Sequence, residues 1–161
     1  MNKYKPHLLV LPEDQANNDI LNGFLLHDAL DSRAIQPLPL GGGWPNVRRK
    51  FISEYAETMR NHPNRHVVLL VDFDKHDDRY AKMMEGVPDD VADRVFVIGV
   101  WSEPEDLPRQ ELGTREELGL KLAQDCFDNS RLVWGHELLS HNAAELDRMN
   151  AVLRRFLFPN A

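Results

Sequence analysis

The sequence is poor in cysteine, with one, Cys126, among 161 residues. A single thiol excludes an intramolecular disulfide and a zinc site built from paired cysteines, and it favours a reducing compartment. Cys126 lies in the helical pattern LAQDCF, outside the electropositive surroundings that activate a thiol. We therefore expect it to be a small core residue.

Long apolar runs are also missing. No stretch approaches the roughly 20 apolar residues of a membrane helix, and the N-terminal MNKYKPHLLVLPEDQ has no apolar centre of a signal peptide. We expect a cytoplasmic protein without a membrane partner. Its 26 acidic side chains outnumber 19 lysines and arginines, which argues against wrapping nucleic acid by bulk charge. Contact with DNA or RNA would need a local basic patch, a metal ion or a partner.

Several familiar catalytic motifs are absent. The chain has no Walker A sequence, no G-x-G-x-x-G and no G-x-S-x-G. The segment GHELLSHN contains His136, Glu137 and His141, but histidines five residues apart do not share a helix face. We expect a turn or a helix cap there rather than a metal site.

The chain does contain short apolar runs that alternate with helical patterns. Strands are predicted at 7–11, 34–40, 66–73 and 94–101, with the proline-containing second strand at an edge, and RLVWG (131–135) suits a short final strand. Helices are predicted at 13–30, 45–62, 77–86, 114–130 and 142–158, and Thr114 and Glu117 form a capping box. This order predicts an α/β fold, Rossmann-like, with a central, mostly parallel four-stranded sheet and helices on both faces. We expect one domain over 1–161, with its core at 7–108 and a C-terminal helical extension at 113–158.

Acidic side chains follow three of the predicted strands. Glu13 follows the first strand, Asp72 and Asp74 follow the third, and Glu103 and Glu105 follow the fourth. The carboxyl ends of parallel strands meet at one edge of a sheet, and alternation along an extended chain places Asp72 and Asp74 on one face. Oxygen ligands without thiolates suit Mg²⁺ or Mn²⁺. Each acid taken singly also suits a helix cap or a solvated turn.

Basic and glycine-rich positions accompany these acids. The turn GGGW follows the second strand, and a basic triplet opens the next predicted helix. Both features suit phosphate contact, although a solvated helix face explains the triplet equally well. Asp77 and Asp78 are expected only to cap the helix that follows them. The candidates for phosphate or nucleic-acid contact are Gly41, Gly42, Arg48, Arg49 and Lys75.

The order of elements and the acids in LPEDQ, VVLLVDFDKHDD and WSEPEDL resemble a Toprim domain, the catalytic fold of topoisomerases, DnaG-type primases and OLD-family nucleases. The resemblance implies that Glu13, Asp72 and Asp74 are catalytic and bind metal, and that Glu103 or Glu105 completes a second metal site. This chain has Glu13-Asp14 where the family usually has Glu-Gly, and its acids after the fourth strand are spaced differently. Those departures bear on metal geometry and on catalysis.

The resemblance implies a Mg²⁺- or Mn²⁺-dependent nuclease, or a related phosphodiester-cleaving enzyme, with DNA favoured over RNA. A short acidic chain offers little surface for gripping a duplex, so we expect activity to depend on a homo-oligomer or on a partner. By analogy with OLD-type systems the partner would be an ATPase and the setting anti-phage defence. The alternative is a non-catalytic Toprim-like binding or adaptor subunit of a larger complex.

Overall fold

Four parallel strands form the centre of the molecule. The computed structural model describes residues 4–161. Its strands are β1 (His7–Pro12), β2 (Ile35–Pro37), β3 (Arg65–Leu70) and β4 (Val95–Ile98). The order across the sheet is β2-β1-β3-β4 and every pairing is parallel, with Val10 beside Val68 and Leu70 beside Ile98. The predicted α/β architecture is confirmed, including the edge position of the proline-containing strand.

Helices cover both faces of this sheet. The longer ones are α1 (Gln15–Phe24), α6 (Arg115–Asp128) and α7 (Ala143–Val152). The shorter ones are α2 (Trp44–Lys50), α3 (Ala56–Asn61), α4 (Arg79–Met84), α5 (Arg109–Leu112) and α8 (Arg154–Leu157). A π-helical turn at Phe51–Tyr55 joins α2 to α3, and 3₁₀ turns lie at Ala92–Arg94, Pro104–Asp106 and Ser140–Asn142. No helix within residues 4–161 is long and apolar enough to cross a bilayer.

Two apolar layers result, one on each side of the sheet. Because side chains alternate along a strand, Leu8 and Val10 join the layer beneath α1, α6 and α7, while Leu9 and Leu11 join the layer beneath α2, α3 and α4. The predicted core position of Cys126 agrees with its place in α6. Its side chain is partly buried against the first layer, and burial raises the pKa of the thiol to about 12.

Helices α1 and α6 approach each other very closely. A Cβ atom on Gly119 would lie 1.9 Å from the carbonyl oxygen of Ile20, and one on Gly23 would lie 1.9 Å from that of Glu116. The predicted capping box begins α6, where Thr114 Oγ1 accepts from the backbone N–H of Glu117 at 3.1 Å. These contacts fix α1, and therefore the residues at its first turn, against the sheet.

Three predicted elements are wrong in extent or in type, and β3 and β4 also end at Leu70 and Ile98, before the predicted residues 73 and 101. Helix α1 ends at Phe24 rather than near residue 30, and the final helix is divided at Leu153. RLVWG forms turns instead of a strand, because the Asp125 carboxylate accepts from the backbone N–H groups of Val133 and Trp134 at 2.8 and 3.0 Å. Those bonds curl the segment back onto the end of α6. GHELLSHN forms turns that lead into the Ser140–Asn142 turn, as predicted.

The outer edge of β4 is covered by the C-terminal part of the chain. Glu145 Oε2 accepts from the backbone N–H of Val97 at 2.8 Å. Asn142 bonds Gly99 in both directions, accepting from its N–H at 3.2 Å and donating to its carbonyl at 2.9 Å. Side chains thus satisfy backbone groups that a further strand would otherwise pair.

Candidate functional site

A pair of buried carboxyl groups lies where β1 and β3 end. Glu13 directly follows β1, and its backbone N–H donates to the carbonyl of Leu70, the last residue of β3. Its side chain extends to the segment that follows β3, where Oε2 accepts from the backbone N–H of Asp72 at 2.6 Å. Glu13 and Asp72 are 8% and 7% exposed. The structure therefore brings these two predicted site residues together.

Burial disfavours the ionised form of both carboxyl groups. Burial raises the pKa of Asp72 to about 7 from an ordinary 3.8, and the charges of Glu13, Asp14 and Asp74 add to the rise. Burial also raises the pKa of Glu13, against which the hydrogen bond from the Asp72 N–H acts. A bound cation would oppose both effects, since a nearby positive charge favours the ionised form.

Asn17 holds Asp72 against the start of α1, and no local sequence pattern selects this residue. The residue is completely buried in the first turn of α1. Its Nδ2 donates to Asp14 Oδ1 and to Asp72 Oδ1, each at 2.9 Å. Asp14 is the N-cap of α1 and also accepts from the Asn17 backbone N–H at 3.0 Å. The Asn17 Oδ1 atom is buried and has no hydrogen-bond partner within residues 4–161.

Asp74 has a different environment from Asp72. Strand β3 ends at Leu70, and Asp74 and Lys75 have φ values of 50° and 61°, in the left-handed region. The extended geometry from which a shared face was predicted therefore does not reach Asp74. Its Oδ2 accepts instead from Arg79 Nη1 at 2.9 Å, in an ion pair whose carboxylate is 45% exposed.

Arg79 is a second residue that sequence reasoning missed. It is 4% exposed at the start of α4. Its Nη1 also donates to the backbone carbonyl of Asp72, and its guanidinium carbon lies 4.5 Å from the centre of the Trp44 ring. One buried cation thus lies among four acids at the ends of β1 and β3, Glu13, Asp14, Asp72 and Asp74.

The glycine turn lies against the Glu13 backbone. Gly41 donates to the carbonyl of Pro12 and Gly42 to that of Glu13, both at 2.8 Å. Gly42 and Gly43 have φ values of 83° and 95°, which glycine adopts without strain. A side chain at either position would be strained, so the turn beside Glu13 depends on glycine.

The predicted basic contacts are mostly engaged within the fold. Arg48 Nη1 donates to the carbonyl of Lys82 at 3.0 Å, and Arg49 donates to Asn46 Oδ1. Lys75 is exposed directly after Asp74. Of the predicted capping acids, Asp78 precedes α4 but makes no capping bond, and its carboxylate pairs with Lys82 at 3.2 Å.

The acids after β4 have other surroundings. Glu103 and Glu105 are both exposed, and Glu105 Oε1 lies 3.5 Å from Arg115 Nη2. Arg115 also pairs with Asp19 of α1 at 3.5 Å. Among the hydrogen bonds and ion pairs of residues 4–161, none joins Glu103 or Glu105 to the Glu13–Asp72 pair or to the groups that hold it.

The fold and site together define an α/β protein with a carboxylate pair at the carboxyl edge of a parallel sheet. Comparisons with protein-family models, with curated proteins and with solved structures gave no significant match. The assignment of a function therefore depends on the side chains themselves.

The carboxylate pair has the donor chemistry of a hard divalent cation. Magnesium is commonly held by one or two carboxylates, with water and substrate oxygens completing its shell. Glu13 Oε1 and Asp72 Oδ2 accept no hydrogen bond within the described chain, and the orphaned Asn17 Oδ1 adds a neutral oxygen nearby. Within residues 4–161 no three His, Cys, Asp or Glu side chains are grouped to hold a metal. The fit is thus to a site of two carboxylates.

Proposed function

We propose that this protein is a Mg²⁺- or Mn²⁺-dependent phosphodiesterase of Toprim type that cleaves nucleic acid. The observation that carries the proposal is the Glu13–Asp72 contact, in which the buried Glu13 carboxylate accepts from the backbone N–H of Asp72, whose own carboxyl group is also buried, at the ends of adjacent parallel strands. Burying two such groups beside one another is costly unless they are protonated or share a cation. Sites of this kind are more often functional than structural.

The residues around the pair have distinct roles in this proposal. Asp72 and Glu13 would hold the cation, which when bound supplies Lewis-acid activation of the phosphate and of the attacking water. Asn17 orients Asp72 through the bond at 2.9 Å. The turn at Gly42 and Gly43, which lies against the Glu13 backbone, would contact a phosphate of the substrate.

Asp74 and Lys75 have roles in this proposal that differ from those of the Glu13–Asp72 pair. Asp74 Oδ2 is held by Arg79 at 2.9 Å, so Asp74 adds negative charge near the site and has only Oδ1 left for a cation. Lys75, exposed directly after Asp74, is the nearest cation in sequence for a phosphate of the substrate.

Binding of nucleic acid requires help from outside this chain. The net charge of −7 repels a polyanion, and two of the predicted basic contacts, Arg48 and Arg49, are engaged by neighbouring groups. We propose that a second copy of the chain or an ATPase partner supplies the basic surface, with DNA as the favoured substrate and anti-phage defence as the setting.

A second candidate function is a non-catalytic adaptor subunit. The Asp74–Arg79 ion pair favours it, because it satisfies without a metal an acid that the Toprim resemblance assigns to metal binding. On this alternative the hydrogen bond from the Asp72 N–H to Glu13 serves only to join the end of β1 to the segment after β3.

A cleavage assay separates the two functions. Supercoiled plasmid and single-stranded oligonucleotides are incubated with the protein and Mn²⁺ or Mg²⁺, using the wild type, Glu13→Gln and Asp72→Asn, with the exposed Asp77→Asn as the matched control. We expect cleavage by the wild type and by Asp77→Asn, and a loss of roughly 10²- to 10⁴-fold in the other two. Equal activity in Asp72→Asn and Asp77→Asn would contradict the proposal. Absence of both cation binding and cleavage would favour the adaptor.

A further inference from the structure

The layer between the sheet and helices α1, α6, α7 and α8 contains unfilled space. Leu8, Val10 and Val68 line this space from the strands. Protein interiors normally contain few voids larger than a water molecule.

That space is a cavity of about 90 Å³ between the sheet and helices α1, α6, α7 and α8. Its wall is almost entirely aliphatic and aromatic. Water is disfavoured in a cavity with such a wall, because a buried water needs two to four polar partners. The residues that define it best are Leu8, Val10, Ile20, Val68, Leu146 and Leu153.

The cavity reaches the surface between α6 and the C-terminal helices. Met149, Asn150 and Arg154 line it and are only partly buried, in contrast to the strand residues at its floor. Arg154 is fixed there, because Nε donates to the carbonyl of Cys126 at 2.8 Å and Nη2 to that of Phe127 at 2.7 Å. Its Nη1 makes no hydrogen bond to residues 4–161, so a cation with a free donor stands at the mouth.

We propose that this cavity is a binding site for a short aliphatic carboxylic acid, with the chain inside and the carboxylate on Arg154. An apolar cavity of 150 Å³ accommodates benzene, so about 90 Å³ suits a smaller apolar group, a chain of roughly three to five carbons beyond the carboxylate. The guanidinium group provides a charge-assisted partner for the carboxylate. This site does not depend on the proposed nuclease function.

The cavity also borders the candidate active site. Asn17 lines its inner end and donates to Asp72 Oδ1 through the same amide group. A ligand in the cavity would therefore contact the side chain that holds Asp72. This is the route by which occupancy would influence the carboxylate pair.

Methyl NMR and calorimetry with hexanoate test the proposal on the wild-type protein. We expect saturable binding, with methyl shifts at Val10 and Val68 and none at Val67, which faces the opposite side of the sheet. Hexan-1-ol, which has the same chain without the charge, should bind at least about tenfold more weakly, since a charge-assisted bond is worth about twice a neutral one. Absence of saturable binding, or shifts that include Val67 but not Val10, would overturn the proposal.

Two variants assign the parts of the site. Val68→Phe fills the cavity and should remove hexanoate binding while raising or preserving the melting temperature. Arg154→Gln should weaken hexanoate by about tenfold and leave hexan-1-ol unchanged, because it removes only the partner of the carboxylate. If Val68→Phe fails to fold, the wild-type methyl shifts still decide the matter. Unchanged hexanoate affinity in a folded Val68→Phe, or in Arg154→Gln, would contradict the assignment.

Discussion

Replacing Asp72 by asparagine should stabilise the fold at high pH while removing the proposed activity. Asparagine has the shape of a protonated aspartic acid, and its Oδ1 still accepts the amide of Asn17. Burial raises the pKa of Asp72 from 3.8 to about 7, so the folded protein holds this proton more tightly than the unfolded chain does. Folded-state stability contributed by Asp72 is therefore greatest below about pH 4 and declines as the pH rises to about 7.

The magnitude follows from the size of the shift. The pKa of Asp72 is higher in the folded protein than in the unfolded chain by about 3, and each pKa unit corresponds to about 1.4 kcal/mol. The largest expected effect on the free energy of unfolding is therefore near 4 kcal/mol. We expect Asp72→Asn to be about 2 to 4 kcal/mol more stable than the wild type at pH 8 without metal, and nearly equal to it at pH 4. For a chain of this length, each kcal/mol of added stability raises the melting temperature by roughly 2–4 °C.

Urea unfolding in EDTA from pH 4 to pH 8 measures the difference between the variant and the wild type. Taking the difference cancels the titration of other groups, such as Asp90, whose pKa is lowered by its hydrogen bond to Arg60. The control Asp77→Asn removes a charge at an exposed position and should shift stability by less than about 0.5 kcal/mol at either pH. A destabilisation by Asp72→Asn that is the same at pH 4 and pH 8 would refute the reasoning.

Substitutions at three further positions test other parts of the account, each read by urea unfolding at pH 7. Glu13→Ala should cost about 1–3 kcal/mol because it leaves the Asp72 N–H without its acceptor, whereas Glu13→Gln retains an acceptor and should cost less; equal costs would contradict that role. Glu145→Ala should cost about 2–3 kcal/mol because it leaves the buried Val97 N–H at the edge of β4 without an acceptor. A neutral result would show that the contact is dispensable. Gly119→Ala should cost more than about 2 kcal/mol, because its Cβ would overlap a backbone oxygen of α1, and a stable variant would mean that the helices separate readily.

Much of the architecture was predictable from local patterns. The uninterrupted apolar run in 67–71 is typical of a central parallel strand, and β3 does lie between β1 and β4. The prolines of 34–40 placed β2 at an edge, and the capping box at Thr114 marked the start of α6. These features are encoded within a few residues of each other.

The interior of the candidate site was only partly predictable. That Glu13 and Asp72 lie close together follows from the rule that parallel strands end at one edge. The bond from Asn17 to Asp72 joins residues 55 positions apart, and no local pattern announces it. The ion pair between Asp74 and Arg79 depends on the left-handed backbone at Asp74 and Lys75. A prediction that extends β3 through these residues misses this pair.

The C-terminal region shows why strand predictions fail near polar side chains. RLVWG has the composition of a strand, yet the Asp125 carboxylate captures two of its backbone N–H groups and produces turns. Glu145 and Asn142 likewise occupy positions where a fifth strand would bond to β4. In both places one long-range or medium-range side-chain acceptor overrides β propensity.

Calorimetric titration of Mn²⁺ into the metal-free protein at pH 8 tests the central claim most directly. The account predicts saturable binding by the wild type and by Asp77→Asn, and at least about tenfold weaker binding by Asp72→Asn and Glu13→Gln, since each loses a carboxylate of the buried pair. Equal Mn²⁺ affinity in all four proteins, or no binding by the wild type, would contradict a cation site at Glu13 and Asp72.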